Sequence, residues 1–321
     1  MREALSPQTI ILLILHLSNQ AVDALASAPK RLPKNSDGVL FVNDRCIDCT
    51  TCANFAPDVF ARDTKIWKHY VHTQPDGEDI EQLERARAAL VACPVSAIRL
   101  ETTRTGGNVA ADGETSSYVK KLVPTRTEFP RLMLQVPATK GEVWYVGRHS
   151  KDTFGATPYI ARGADGTTVL VDTPRFSVDA ARAIESICGT STGPDYHLIT
   201  HVDDSAGHLE WQERYSGMRR IFHSGDLGDH NWRRDNSLED VEVLLEEKTR
   251  FNKDGTIILQ AWTLDGKDLS SPVSESETQN LPEFIVYHTP GHSPGSISLL
   301  FQEDVLFTGD TLAYSAREKG M

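Results

Sequence analysis

Four of the five cysteines in this 321-residue chain are spaced to hold iron rather than to pair with one another. Cys46-Ile-Asp-Cys49-Thr-Thr-Cys52 puts three thiolates at i, i+3 and i+6 on one tight loop, and Cys93-Pro94 supplies a fourth from far downstream. Three ligands so close together wrap one face of a cubane, so the set reads as the ligands of one [4Fe-4S] cluster. Structural zinc is the competing use of four cysteines. It favours two separated Cys-x2-Cys knuckles, whereas here the third thiolate is crowded into the first loop. An odd cysteine count argues against a disulfide framework and for a reducing compartment. The fifth, Cys188, stands where an amphipathic helix ends and reads as an inert, partly buried thiol.

This pattern resembles the single-cluster ferredoxins of bacterial type. The resemblance implies one cluster, of the four-iron kind because Cys49 is present, and therefore one-electron transfer with a redox protein partner, or a structural or sensing cluster. A second cluster would need a second set of cysteines, which the sequence lacks.

Further along, His288-Thr-Pro-Gly-His292-Ser-Pro-Gly-Ser296 and Leu306-Phe-Thr-Gly-Asp310 each set a metal-competent side chain on a tight turn at a strand end. Imidazole suits zinc or iron, and a hard carboxylate neutralises a divalent ion. Together with the strand ending at Asp172 and with Leu198-Ile-Thr-His201, these segments resemble the metallo-β-lactamase superfamily, in the same order along the chain. That resemblance implies a metal-dependent hydrolase on an αββα sandwich, incomplete at its C-terminal end because the family's last histidine would lie beyond Asp310.

The first metal motif departs from the family. Where relatives carry His-x-His-x-Asp-His, this chain has His201-Val202-Asp203-Asp204-Ser205-Ala206-Gly207-His208. The second histidine becomes Asp203, and the last two ligands become Ser205 and Ala206. One site then retains His201, Asp203, His292 and Asp310, enough for a single Zn or Fe ion, with His208 and Asp204 as candidate replacement ligands. Asp203 and Asp204 are the candidate general bases. His223 and His230 read as loop residues, His197 and His288 as packed within the sheet, and Trp144, Trp211 and Trp262 as core.

The elements needed to position these groups are legible around them. GVLFVN reads as a strand before the first cysteine, DIEQLERARAALVAC as an amphipathic helix with Ile80, Leu83, Leu90 and Val91 on one side, and AIRLE as a closing strand. An α+β ferredoxin-like domain over 39–101 follows. Residues 102–129, rich in Gly, Ser and Thr, read as a linker. From 130 to 321, strand-rich segments interrupted by two helices, SVDAARAIESI and HLEWQERYS, suggest layered sheets covered by helices.

Residues 1–38 read as a targeting leader. Ile10–Leu17 is apolar but too short to cross a bilayer, Ala26-Ser27-Ala28 offers a small-residue cleavage site, and PKRLPK is basic. The start resembles bipartite plastid targeting, with the secretory pathway as the alternative, and no integral membrane segment is expected in the mature chain. A net charge of -12, from 45 acidic against 33 basic residues, excludes the basic face that nucleic-acid binding requires. Two functions remain: hydrolysis of a small-molecule ester, thioester or lactone under redox or partner control, or electron transfer or redox sensing with the second domain as a binding scaffold.

Overall fold

The computed structural model describes residues 28–101, 113–124, 128–136, 141–246, 259–269 and 282–312. The apolar leader segment and the proposed cleavage site at Ala26-Ser27 lie outside the described residues.

The first module is built from β1 (Leu40–Val42), α1 (Thr51–Phe55), β2 (Phe60–Asp63), β3 (Lys68–Val71), α2 (Ile80–Ala92) and β4 (Ile98–Leu100). β1 pairs with β4, and β2 with β3, both antiparallel. Helix α2 starts where Asp79 accepts a hydrogen bond from the Gln82 backbone N–H at 3.0 Å, satisfying one of its orphan donors. It buries Leu83, Ala86 and Ala89, but Ile80, expected on the apolar side, is 71% exposed. The short alanine side chains let the helix lie close against α1 and the strands.

Two boundaries differ from the sequence reading. Leu32, assigned to the leader, is buried in this core. Beside it, the Asn35 side chain donates to Leu32 and Val42 carbonyls and accepts from the Val42 and Val71 N–H groups. Residues 102–129, read as a linker, contain a helix, α3 (Gly113–Leu122). Its Leu122 joins the same core at 1% exposure, and Tyr118 Oη donates to the Pro75 carbonyl at 2.6 Å. Composition rich in Gly and Ser concealed a helix whose apolar residues are needed elsewhere.

The second module comprises β5 (Arg131–Gln135), β6 (Glu142–Tyr145), β7 (Tyr159–Arg162), β8 (Thr168–Val171), α4 (Val178–Cys188), β9 (Tyr196–Leu198), α5 (His208–Arg214), β10 (Arg219–His223), β11 (Val243–Leu245), β12 (Ala261–Trp262), β13 (Phe284–His288), β14 (Ile297–Phe301) and β15 (Val305–Phe307). One sheet runs β11-β10-β9-β8-β7-β6-β5, parallel from β8 to β11 and antiparallel from β5 to β8. The other, β12-β13-β14-β15, is antiparallel throughout.

Strand alternation explains the layers. Val169, Val171, Leu198 and Ile221 meet Val286, Ile297, Leu299 and Phe301 between the sheets. Ile160 and Leu170 face the opposite side, where Ile184 and Ile187 of α4 and Trp211 of α5 cover them. This gives a helix layer and two sheets. Among the described residues no helix covers the outer face of the second sheet, so the fourth layer of the expected sandwich is not among them. Nor is any described helix long and apolar enough to cross a membrane.

The modules meet through Phe55, Ala88, Val91 and Ala92 of the first, packed on Phe129, Tyr145 and Tyr159 of the second. Glu128 ties them further, accepting from Arg87 Nε at 2.6 Å and from Arg131 Nη2 at 3.1 Å.

Candidate functional site

The structure brings Cys46, Cys49, Cys52 and Cys93 around one small cavity, together with Thr50, Thr51, His69 and Val95. Asp48 and Thr50 take left-handed backbone conformations, with φ of 63° and 62°, and so curl the loop around its sulfurs. Backbone N–H groups point inward: His69 donates to Cys46 Sγ at 3.4 Å and Ala97 to Cys93 Sγ at 3.2 Å. Burial pushes the Cys49 and Cys52 thiols up, and the neighbouring sulfurs add to it. Converging thiolates that repel one another when charged are stabilised by a cationic core, so the donor set fits an iron–sulfur cluster.

The second centre sits at the carboxyl ends of strands β8, β9 and β10, where open α/β sheets present ligands. Asp172 follows β8, His201 follows β9, and the turns after β13 and β15 carry His292 and Asp310 across from them. The His201 and His292 rings stand perpendicular with centroids 4.8 Å apart. Donor atoms of His201, His292 and Asp310 lie within 4.8 Å of one another, and Asp203 Oδ2 lies 3.3 Å from His292 Nε2 and 3.7 Å from His201 Nε2. Ligands on a single tetrahedral zinc sit about 3.4 Å apart, given bonds of about 2.0–2.1 Å. These four side chains therefore need little movement to share an ion.

His201 is prepared for that role. Its ring is 1% exposed and, among the described residues, its Nε2 has no hydrogen-bond partner. Behind it, the Thr200 hydroxyl donates to Asp172 Oδ1 at 2.8 Å and lies 3.0 Å from His201 Nδ1. A hydroxyl has one proton, so with that proton on Asp172 it accepts from Nδ1–H, which leaves the Nε2 lone pair facing the site. Gly309 lets the Asp310 turn approach, since a Cβ there would meet Thr200 Oγ1 at 2.5 Å.

Electrostatics point the same way. Burial, with the Asp310 charge adding to it against the Thr200 hydrogen bonds, raises Asp172 to about 7. Burial together with Asp172, Asp310 and Asp203 holds Asp204 well above the usual carboxylate range. His201 is held down by burial, although Asp310 and Asp203 pull it the other way. A cluster of buried carboxylates around an unpartnered imidazole nitrogen is relieved by a cation.

His208 is not part of this centre. It is fully buried, with Nε2 3.2 Å from Asp235 and 3.1 Å from Ser237, and Nδ1 3.2 Å from Arg220. Its side chain locks the start of α5 instead. Asp204 Oδ2 lies 3.7 Å from His201 Nδ1, on the side of the ring away from Nε2, so it stands apart from the other donors. His223, expected in a loop, ends β10, buried and stacked 4.0 Å from His288.

One residue that shapes the candidate site escaped the sequence reading. Asp226, fully buried, accepts from the Val202 N–H at 3.0 Å, the Ser293 hydroxyl at 2.8 Å and the Gly295 N–H at 2.6 Å. It thereby ties the turn beside His201 to the turn beside His292. The only signal was an aspartate just past a strand end in HSGD, which fits many loops equally well.

A cavity of about 740 Å³ opens over the centre, lined by Asp172, Asp203, Asp204 and Asp310 on one side and by Phe154, Gly155 and Tyr159 on another. The same loop touches the first centre: Gly155 has φ of +95°, and a Cβ there would lie 3.2 Å from Cys49 Cβ and 3.8 Å from its Sγ. His149 anchors the loop, with Nδ1 2.7 Å from the Gly155 carbonyl and its other nitrogen bonded to the Tyr145 hydroxyl.

Residues 42–100 match the sequence family described as the 4Fe-4S single cluster domain of Ferredoxin I, so this segment is a [4Fe-4S] ferredoxin domain. No curated protein matches the sequence. The fold is partly similar to the peroxy diiron species of the chemotaxis sensor ODP, at 15% identity and a TM-score of 0.34, covering 56% of this chain and 62% of that one. A metallo-β-lactamase with a HARLDQ motif from Cronobacter sakazakii is similar at 16% identity and a TM-score of 0.32, covering 55% and 62%. The class B3 di-zinc metallo-β-lactamase LRA-12 from an Alaskan soil metagenome is similar at 16% identity and a TM-score of 0.32, covering 55% and 60%. The chain thus spans less than two thirds of the length of each of these structures.

Proposed function

We propose that the second module binds one zinc or iron ion through His201, Asp203, His292 and Asp310, and that the protein hydrolyses a small-molecule ester, thioester or lactone there. The observation that carries this reading is the buried His201 Nε2, without a hydrogen-bond partner among the described residues and surrounded by three further donor side chains. An ion at that position supplies Lewis-acid activation of water and of a carbonyl oxygen.

The chain's own residues do the rest. Thr200 orients the His201 ring, and Trp232 Nε1 donates to Asp203 Oδ1 at 2.6 Å, which holds that carboxylate toward the two histidines. Asp204 borders the cavity, its carboxyl raised by burial and by Asp172, Asp310 and Asp203, and is the proposed general base. Metal analysis of the full-length protein tests the reading. We expect one zinc or iron per chain beyond the cluster iron, lost in His201→Ala and His292→Ala together with hydrolysis of an acyl ester, thioester and lactone panel. A chain that holds no metal beyond the cluster would sink it.

The close approach of Gly155 to Cys49 favours a second reading, in which the cluster and a redox protein partner govern the cavity, or in which the chain is an electron carrier or sensor without hydrolysis. It gains if hydrolysis stays absent while Cys46→Ser abolishes a redox response that His201→Ala leaves intact. Plastid targeting, with secretion as the alternative, belongs to the same proposal, and a fluorescent fusion to the N-terminal segment would distinguish them.

A further inference from the structure

We propose that His69 sets the reduction potential of the cluster by donating a ring N–H to one of its sulfurs. His69 lies on β3, and its side chain is 1% exposed. It lines the cavity formed by all four cysteines. Among the described residues neither ring nitrogen has a hydrogen-bond partner. Leaving such a group unsatisfied in a buried place costs about 1–3 kcal/mol, so a partner is expected.

The ring is closely bordered on its Nδ1 side, without a hydrogen bond there. Nδ1 stands 3.2 Å from Asp48 Oδ1, and that carboxylate is gripped by Arg62 Nε at 2.9 and 3.0 Å. The backbone N–H of His69 already donates to Cys46 Sγ at 3.4 Å, which keeps this stretch of β3 beside the ligand loop. The cavity offers four cysteine sulfurs as acceptors, beside the Thr50 and Thr51 hydroxyls. Hydrogen bonds to sulfur stabilise the more negative, reduced cluster and therefore raise its potential. Two backbone N–H groups serve Cys46 and Cys93 in this way, and His69 adds a side-chain donor.

The proposal rests on the cluster being present, so iron and sulfide are measured first on the full-length wild type, His69→Leu and His69→Gln. Redox titration followed by electron paramagnetic resonance then reads the midpoint potential. His69→Leu is expected to shift the reduction equilibrium at least tenfold toward the oxidised cluster, about 59 mV for one electron, and His69→Gln to recover part of that shift through its amide N–H. Equal potentials in wild type and His69→Leu overturn the proposal. Should the variants fail to hold the cluster, pulsed resonance on the reduced wild-type protein carrying histidine labelled with 15N in the imidazole ring alone decides it, since the His69 backbone N–H itself donates to Cys46 Sγ. A histidine nitrogen coupling is expected, and its absence overturns the proposal. A wild-type protein lacking iron and sulfide altogether would instead overturn the cluster reading, and this inference with it.

Discussion

His201 acquires its direction from a residue that never touches the site. Thr200 links Asp172 to His201 Nδ1, and outer partners of this kind typically change metal affinity about 10–100-fold when removed. Thr200→Val keeps the shape and deletes both hydrogen bonds, so chelator competition should show metal affinity weakened by about 10–100-fold. Asp226 works on the two ligand turns at once. In Asp226→Ala, two buried N–H groups and a hydroxyl lose their acceptor, each such loss costing about 1–3 kcal/mol. Urea unfolding should register the destabilisation, and bound metal should fall with it. Thr200 and Asp226 were not legible as functional residues, because threonine after a strand and aspartate in a turn are commonplace. The four cysteines, His201, His292 and Asp310 were legible, because their side-chain chemistry and turn context are unusual.

At the scale of elements, α3 settles where the first module ends. Its sequence reads as linker, yet Leu122 is buried among Leu83, Ala86 and Ala89 of α2 and their neighbours. Leu122→Ala should lower stability by about 2–5 kcal/mol in denaturant titrations, as expected of a core residue. An exposed linker residue would lose almost nothing, and that outcome would return the segment to the linker reading. The loop from His149 to Gly155 is the other decisive element. It borders the cavity on one side and reaches Cys49 on the other, a position only a glycine at φ of +95° permits.

The whole molecule should respond to acid through its buried imidazoles. Burial lowers His149 to about 4, and His197 and His223 to about 3, from an ordinary 6.5. Each binds its proton more weakly in the folded protein than in the unfolded chain. Their contribution is therefore complete above pH 6.5 and is lost progressively as pH falls toward 3. Asp172 acts in the opposite sense: raised to about 7, it makes the metal-free protein less stable as pH climbs from its ordinary 3.8 toward 7. Thermal melts of metal-free protein should fall off on the acid side, and Asp172→Asn should flatten the neutral side. An Asp172→Asn melt independent of pH between 4 and 6.5 would contradict this account of the three histidines.

By itself the sequence pointed to the four cysteines as candidate cluster ligands, to most strands and helices of the second module, and to the two turns that carry His292 and Asp310. These depend on local spacing and turn chemistry, which few residues encode. The tertiary structure decided what surrounds them: that His208 locks α5, that Asp226 joins two turns, that His69 stands beside four sulfurs, and that one loop borders both centres. Burial, unsatisfied nitrogens and approach between distant segments arise only when the sheets and modules close on one another, and no local pattern encodes them.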